Sequence, residues 1–554
     1  MARRDDDDRT ILATTLDRRR LVGGAAGLTA ASALALAGHV PASAAPQSRT
    51  HLTGRHQDGG AGIIIGTLGE AQTINPFLTN ESEGDWRCKM LFDEFVHINP
   101  ATYVPEPGIA ASWEIADLTV TFTLQPSVTF SDGTDVTADD VAFTIKGHLA
   151  KDTASPRQQK FLSIDGAQAY ADGTAPDVTG LQVVDPKTLK VTLAQPDAPF
   201  LFNMRFVFVV PAAQLEGKSL TDDAWFQAPV GAGPFVFESW QVGGDFVATK
   251  NGTYWQTGKP ALSGFTHRTI ADANTLVLAL QSGEIDASNY PAPTLKADLE
   301  QNPDLTILVP PFASPNGWMF NVENELLSDV RVRKAIAMSL DTTRFANDFL
   351  LGLGKPGNGP IAPDSWAYDP DLQPIPYDVE GAKALLAEAG FVDGTELRFL
   401  VNSGNVLRED WLAYSQQALE EVGITVVPEA IEYATLTDRV TTSQDYDACG
   451  VDFAGVTAEP SELYDQFHSG SPGNYMNYSN PELDALLEKA KQTLDIEAAK
   501  PIYAQIQNLI VQDVPMFYAW YRPFLHAVNK RYAGYTDSAA YGLFQNLEDW
   551  TVTA

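Results

Sequence analysis

From Asp329 onward the sequence alternates capped helical segments with short apolar strands, and that alternation limits the fold more than any other feature. Asp329 stands ahead of Val332, Ile336 and Leu340. Asp378 stands ahead of Val379, Ala382, Leu385, Leu386 and Ala389, and Gly390 ends that pattern. Asn480 and Pro481 open a third segment through Leu483, Leu486, Leu487 and Ala490. A short polar side chain before an apolar stripe accepts the free amides of a first helical turn, and proline at the first helical position forfeits no bond. Between these segments lie Leu397–Val401 and Ile424–Val427, which read as strands. Strands separated by helices cannot pair through tight turns, so this half reads as an α/β lobe.

The first half has a different texture. Gly62 to Gly66 encloses three isoleucines and reads as a short buried strand. Val120, Phe122 and Leu124 alternate with Thr119, Thr121 and Thr123, a half-exposed strand that Val128 and Phe130 extend. Thr137 and Asp140 have the spacing of a helix capping box. Leu181-Val183 and Leu189-Val191-Leu193 flank a turn at Asp185-Pro186-Lys187-Thr188, a hairpin pattern. At 554 residues the chain exceeds one compact core. Two α/β lobes, the first elaborated by a mostly-β insertion, account for both textures.

The N-terminus carries an address. Arg18-Arg19-Arg20 precedes Leu21-Val22 and a Gly/Ala-rich run to Ala37, then Ala42-Ser43-Ala44-Ala45. This is a charged region, an apolar region and a small-residue cleavage site, so residues 1–44 read as an export signal. The arginine pair resembles a twin-arginine signal, with Asp17 where Ser or Thr is usual, so general secretion is the alternative. Residues 45–62 read as a polar leader. The formal charge of −34 argues against nucleic acid and anionic membrane surfaces as partners, since both repel a polyanion. The two cysteines, Cys88 and Cys449, read as free buried thiols, with one long-range disulfide as the alternative.

Several segments then occur in a fixed order. They are Asn75-Pro76-Phe77; Leu91-Phe92-Asp93-Glu94; Pro105 to Glu114; Val128 to Thr134; Gly231-Ala232-Gly233-Pro234-Phe235 with Tyr254-Trp255; Val330 to Ile336; Pro360-Ile361-Ala362-Pro363; and Ala382 to Gly390. In this order, over roughly residues 63–550, the chain resembles the extracellular solute-binding proteins of family 5, the peptide, oligopeptide and nickel class of ABC importers. The resemblance implies a two-lobed fold of the periplasmic-binding-protein type II, in its large three-unit variant, with a ligand cleft between lobes. One lobe would comprise 63–98, 229–311 and 525–554, its insertion 99–228, and the other lobe 312–524. Hinges are expected near Pro310-Pro311 and Pro523. The expected partners are a small-molecule or peptide ligand and the importer's permease subunits, for an exported, monomeric protein without cofactor, metal or catalytic residue. Gly-Ala-Gly-Pro-Phe reads as a tight bend that needs glycine's φ range, and Trp113, Trp240 and Trp255 as core aromatics.

The resemblance also implies cleft residues. The loop after the first strand supplies Thr73 and Asn75, and the strand entering the second lobe supplies Trp318, either as an aromatic platform or as a packed core residue. Asn402, Asp452 and Phe453 complete the set. Peptide-binding relatives carry a tryptophan and, three positions on, an aspartate that pairs with the peptide's α-ammonium. Here Phe453 and Val456 take those positions, and a valine cannot pair with an ammonium. Either Asp452 or Glu459 substitutes with a changed pose, or the ligand lacks that group, which admits an oligosaccharide held by Trp318, Phe453, Asn75 and Asn402. A secreted hydrolase is the rival from another class, but no nucleophile elbow, HExxH or P-loop occurs, and the eight histidines show no ligand spacing. A metal-complex carrier or a sensor of the same fold remain alternatives within binding proteins.

Overall fold

The computed structural model describes residues 62–553 apart from 223, 290, 292, 311–314, 453–458, 523 and 539–541. The export signal, most of the leader, Pro311 and Pro523 lie outside the described residues.

Three sheets carry the architecture. In the seven-stranded sheet the spatial order is Leu305–Leu308, His526–Asn529, Ala287–Asn289, Ile63–Thr67, Gly264–Thr269, Asp245–Lys250 and Phe235–Trp240. The first strand in the chain, Ile63–Thr67, lies parallel to both neighbours. The six-stranded sheet runs Lys355–Pro356, Met516–Tyr521, Pro315–Phe320, Ala448–Asp452, Thr395–Asn402 and Ile424–Ile431. Thr395–Asn402 is parallel to its two neighbours, as expected of strands joined through helices. The four-stranded sheet is antiparallel throughout, in the order Ala110–Ala116, Thr119–Leu124, Thr188–Thr192, Leu181–Asp185. Each of the two large sheets belongs to one lobe, and the four-stranded sheet belongs to an insertion in the first. The chain passes between the large sheets twice, from Leu308 to Pro315 and from Tyr521 to His526.

The local signals explain the helices. Asp378 accepts the Gly381 amide at 2.9 Å ahead of the helix Val379–Ala389, and Gly390 ends it in the left-handed region. Asn480 caps Pro481–Gln492 through the amides of Glu482 and Leu483. Asp140 accepts both the amide and the hydroxyl of Thr137, at 2.8 and 2.7 Å, at the start of Ala138–Leu149. Val128 and Phe130 are buried but do not prolong the strand, which stops at Leu124. Gly231 and Gly233 are not needed for φ. A Cβ on Gly231 would lie 2.0 Å from the Leu91 carbonyl oxygen and one on Gly233 2.4 Å from that of Met90, so the motif is a close backbone approach to the helix Ser82–Phe92.

Buried charge organises the first lobe and reaches the insertion through Arg157, paired with Asp85, and Arg205, 3.6 Å from Glu94. Asp93 accepts from His97 Nε2 at 2.5 Å, Trp255 Nε1 at 2.8 Å and the Tyr254 hydroxyl at 3.0 Å. Lys89 pairs with Glu94 at 3.1 Å, and Arg157 of the insertion pairs with Asp85 at 2.5 Å. Phe95 donates its amide to Val207, and Ala110 to Phe95. Trp255 is thus half-buried with its indole N–H committed to Asp93, and Trp240 is half-buried with its own committed to Glu70. Burial alone would strip the proton from His97, but the charge and hydrogen bond of Asp93 outweigh it and raise the imidazole pKa. Burial also opposes the Asp93 charge, yet His97, by charge and hydrogen bond, holds that carboxyl below the ordinary range.

The second lobe is centred on Trp318, fully buried within an aromatic cluster. Its ring meets Phe399 edge-on at 4.7 Å and stacks on Trp411 at 6.2 Å, and its Nε1 donates to Ser415 Oγ at 2.9 Å. Cys88 and Cys449 are both buried free thiols. Burial pushes the Cys449 pKa up to about 12.

Two outcomes follow from this packing. Ser415→Ala leaves the Trp318 N–H buried without an acceptor and should cost about 1–3 kcal/mol in denaturant unfolding, while ligand affinity of the folded protein stays unchanged. A large loss of affinity without a loss of stability would return Trp318 to the cleft. The second outcome concerns pH. The contribution of His97 is full below the ordinary imidazole value of about 6.5 and fades as pH rises through the raised folded value. That of Asp93 is full above its ordinary value of about 3.9 and fades as pH falls through the lowered one. Between about pH 6 and about pH 9 the wild-type melting temperature should therefore fall more steeply than that of His97→Gln, and equal slopes would remove the pair from the linkage.

Candidate functional site

The sites expected from sequence divide between sheet edges and cores. Asn402 ends the strand Thr395–Asn402 and Asp452 ends the parallel strand Ala448–Asp452, so the two lie together at one carboxyl edge of the six-stranded sheet. That edge is where open α/β sheets receive ligands. Asp452 also faces Asn316 across the sheet. The Asn402 amide is half-buried, and its Oδ1 accepts from Arg408 Nη1 at 2.8 Å. Phe453 and Val456 lie outside the described residues.

Two expectations are corrected. Trp318 offers no platform, because its ring is enclosed by Phe399 and Trp411. Asn75 is wholly buried and its amide is spent on structure: Nδ2 donates to the Leu220 carbonyl at 2.9 Å and Oδ1 accepts the Phe77 amide at 3.0 Å. It ties the loop after the first strand to the insertion. Thr73 is half-buried beside it, and its hydroxyl accepts the Asn75 amide at 3.0 Å.

A cavity of about 210 Å³ lies where the insertion meets the second lobe. From the insertion come Tyr103, Trp113 and Phe202; from the second lobe come Trp366, Tyr503 and Glu459. Trp113 is half-buried, packs against the insertion's core and also lines the cavity. Trp366 packs against the hydrophobic cores of both the insertion and the second lobe, and meets Tyr503 edge-on at 5.5 Å. Beside the cavity the Ala198 amide donates to the Lys491 carbonyl at 2.7 Å, a backbone bond across the same seam. Asp197 is buried there, and burial raises its pKa.

Glu459 is the one acidic residue in the cavity wall. Burial pushes its pKa up to about 7, against the pull of the Ser461 amide and of Lys160. Burial likewise raises Glu462, and Lys160 again opposes it. Lys160 belongs to the insertion, with Nζ 5.1 Å from the Phe206 ring centroid. The seam therefore sets two carboxyls whose pKa values burial raises, Glu459 and Glu462, near Lys160 of the insertion. Trp366, Phe202 and Tyr503 were not foreseen from sequence. The available signal was Trp366 itself, a large aromatic in the polar loop Asp364-Ser365-Trp366-Ala367-Tyr368-Asp369 with no apolar periodicity to absorb it.

Among the described residues no group of three or more His, Cys, Asp or Glu side chains could hold a metal ion. No helix among them is long and apolar enough to cross a membrane.

Comparison with known proteins gives a consistent result. The oligopeptide-binding protein AppA of Bacillus subtilis is 29% identical over 517 residues, covering 90% of this chain and 92% of AppA. The crystal structure of AppA in complex with a nonapeptide superposes with a TM-score of 0.72 at 26% identity, covering 89% of this chain and 99% of that one. The ABC transporter substrate-binding protein CtaP of Listeria monocytogenes superposes with a TM-score of 0.80 at 25% identity, covering 89% of this chain and all, 100%, of CtaP. The family model for bacterial extracellular solute-binding proteins, family 5 (middle region), matches residues 104–475, more than half of the chain. With that match, and with a two-lobed fold, the chain belongs to family 5 of the bacterial extracellular solute-binding proteins.

Proposed function

We propose that this protein captures peptides outside the membrane and hands them to an ABC permease, closing its second lobe against the first lobe and insertion. The lobe boundaries in this reading are 63–98, 229–311 and 525–554 for the first, 99–228 for the insertion and 312–524 for the second. The observation that carries it is the seam itself. Trp366 packs into both cores, and the cavity wall is built from both sides, so these contacts exist only when the halves meet. A ligand can drive closure only through contacts that differ between the open and closed forms. The two chain crossings between the large sheets supply the hinge. Peptide is the favoured class because the AppA relative is named for oligopeptides and was solved with a nonapeptide. The oligosaccharide alternative raised by Val456 has no support among these relatives. Capture is the whole task, as members of this family bind their solutes without converting them. Export through the arginine-led signal at residues 1–44 completes the reading.

A melting-temperature screen of tri- to nonapeptides beside malto-oligosaccharides decides the class. A peptide at a hundredfold excess over its Kd should stabilise the protein by about 2.7 kcal/mol. Stabilisation by an oligosaccharide and by no peptide would overturn the assignment. Trp366→Ala should weaken the best peptide about tenfold or more, a loss of about 1.4 kcal/mol. It should also enlarge the radius of gyration of the ligand-saturated protein in solution scattering. An unchanged radius and affinity would detach the seam from closure.

A further inference from the structure

The second-lobe helix Pro481–Gln492 ends against the insertion. The last four carbonyls of a helix have no partner within it. Two of them here are satisfied by Thr493 of the same lobe: its hydroxyl donates to the Lys489 carbonyl at 2.7 Å and its amide to the Ala490 carbonyl at 3.0 Å. A third, that of Lys491, accepts the Ala198 amide of the insertion at 2.7 Å. Ala198 is held by its own turn, in which the Phe200 amide donates to the Asp197 carbonyl at 3.1 Å. Parting the lobes leaves the two Thr493 bonds intact and breaks the third.

Charge reinforces that bond. Asp197 is buried beside Ala198. Burial raises its pKa, and the charge of Lys491 opposes that rise. The Lys491 ammonium thus acts on a carboxyl of the other half, while its Nζ lies 4.4 Å from the centroid of the Tyr464 ring in its own. Taking Lys491 away would leave Asp197 in the closed seam without the cation that offsets its burial. The contact does not need a ligand. The Ala198 amide and the Lys491 carbonyl are committed to each other, and Asp197, Lys491 and Tyr464 are not among the residues of the cavity wall.

We propose that Asp197, Ala198 and Lys491 form a latch that favours the closed form without touching the ligand, and so multiplies the affinity for every ligand by one common factor. The latch rests on the reading of capture by closure. A ligand whose tight complex needs the closed form binds with an apparent affinity scaled by how readily that form is reached. Contacts to the ligand alter that affinity ligand by ligand, whereas a contact between the lobes alters it equally for all. One hydrogen bond of this kind shifts an equilibrium about two- to tenfold.

The test reads closure in the full chain, first without ligand and then with it. Gln195→Cys and Gln492→Cys place an exposed thiol on each side of the latch, and a short bismaleimide joins them when the lobes meet. Cys88 and Cys449 are buried. Lys491→Met and, separately, Ala198→Pro, which deletes the donor, should each slow cross-linking of the empty protein about two- to tenfold, after correction for the reaction of each thiol with a monomaleimide. Where circular dichroism shows that Ala198→Pro does not fold, Lys491→Met decides. An unchanged rate overturns the latch. Titration calorimetry then compares Ala-Ala-Ala, Ala-Phe-Ala and Lys-Ala-Ala. Each variant should weaken all three by the same factor and keep their order. A factor that differs among them makes these residues ligand contacts and overturns the latch. If no peptide binds, the peptide reading fails and the cross-linking rate decides the latch alone.

Discussion

Asp93 is the group on which the rest of the molecule depends. Its carboxylate gathers His97, Tyr254 and Trp255 in a space from which water is excluded. Beside it Lys89 pairs with Glu94, and elsewhere on the same helix Asp85 pairs with Arg157 of the insertion. Buried pairs of this kind contribute little net stability compared with an apolar core, but breaking one leaves an uncompensated buried charge. The consequence is geometric. Where the insertion meets the first lobe, Arg157 pairs with Asp85 and Phe95 exchanges backbone bonds with Val207 and Ala110, so parting them would orphan a buried charge.

The lobes are linked by the two crossings, from Leu308 to Pro315 and from Tyr521 to His526. The second lobe holds its own core through Trp318, Trp411 and Phe399, which do not depend on the first. Among the described residues, the contacts between the lobes include a backbone bond from Ala198 to Lys491, the wedge of Trp366, and charges of opposite sign at Glu462 and Lys160. A seam of this composition is suited to opening, because polar and aromatic surfaces tolerate water better than the aliphatic interiors on either side.

Much of this was legible in the sequence wherever a local rule decides the outcome. The caps at Thr137, Asp378 and Asn480 and the αL stop at Gly390 depend on residues within one turn, and the structure has helices starting and stopping there. The alternating threonines of Thr119–Leu124 likewise gave their faces. Tertiary context decided the rest. Trp318 sits on a strand buried on both faces, and alternation cannot tell such a strand's core face from a cleft face. Asn75 resembles a ligand amide until Leu220, distant in sequence, takes its donor. Gly231 and Gly233 signal a constraint, but not whether it is φ or proximity. The helix Ile496–Asp513, which contributes Ile496, Ala499 and Tyr503 to the cavity, contains Pro501 and so contradicts the usual reading of proline as a breaker.

The seam also bears on how a binding protein avoids closing on nothing. A receptor that shut spontaneously would hide its own site and present an empty package to the permease. Closure must therefore be unfavourable alone and favourable with ligand, and the difference has to reside in groups that only the ligand satisfies. Hydrophobic contacts cannot supply that asymmetry, since they favour the closed form whether or not it is occupied. Polar groups at a seam with no partner across it can, because shutting takes them from water and only a guest can return the lost hydrogen bonds. Trp366 and the other rings favour shutting, the desolvation of polar groups opposes it, and a guest that satisfies those groups tips the balance between them.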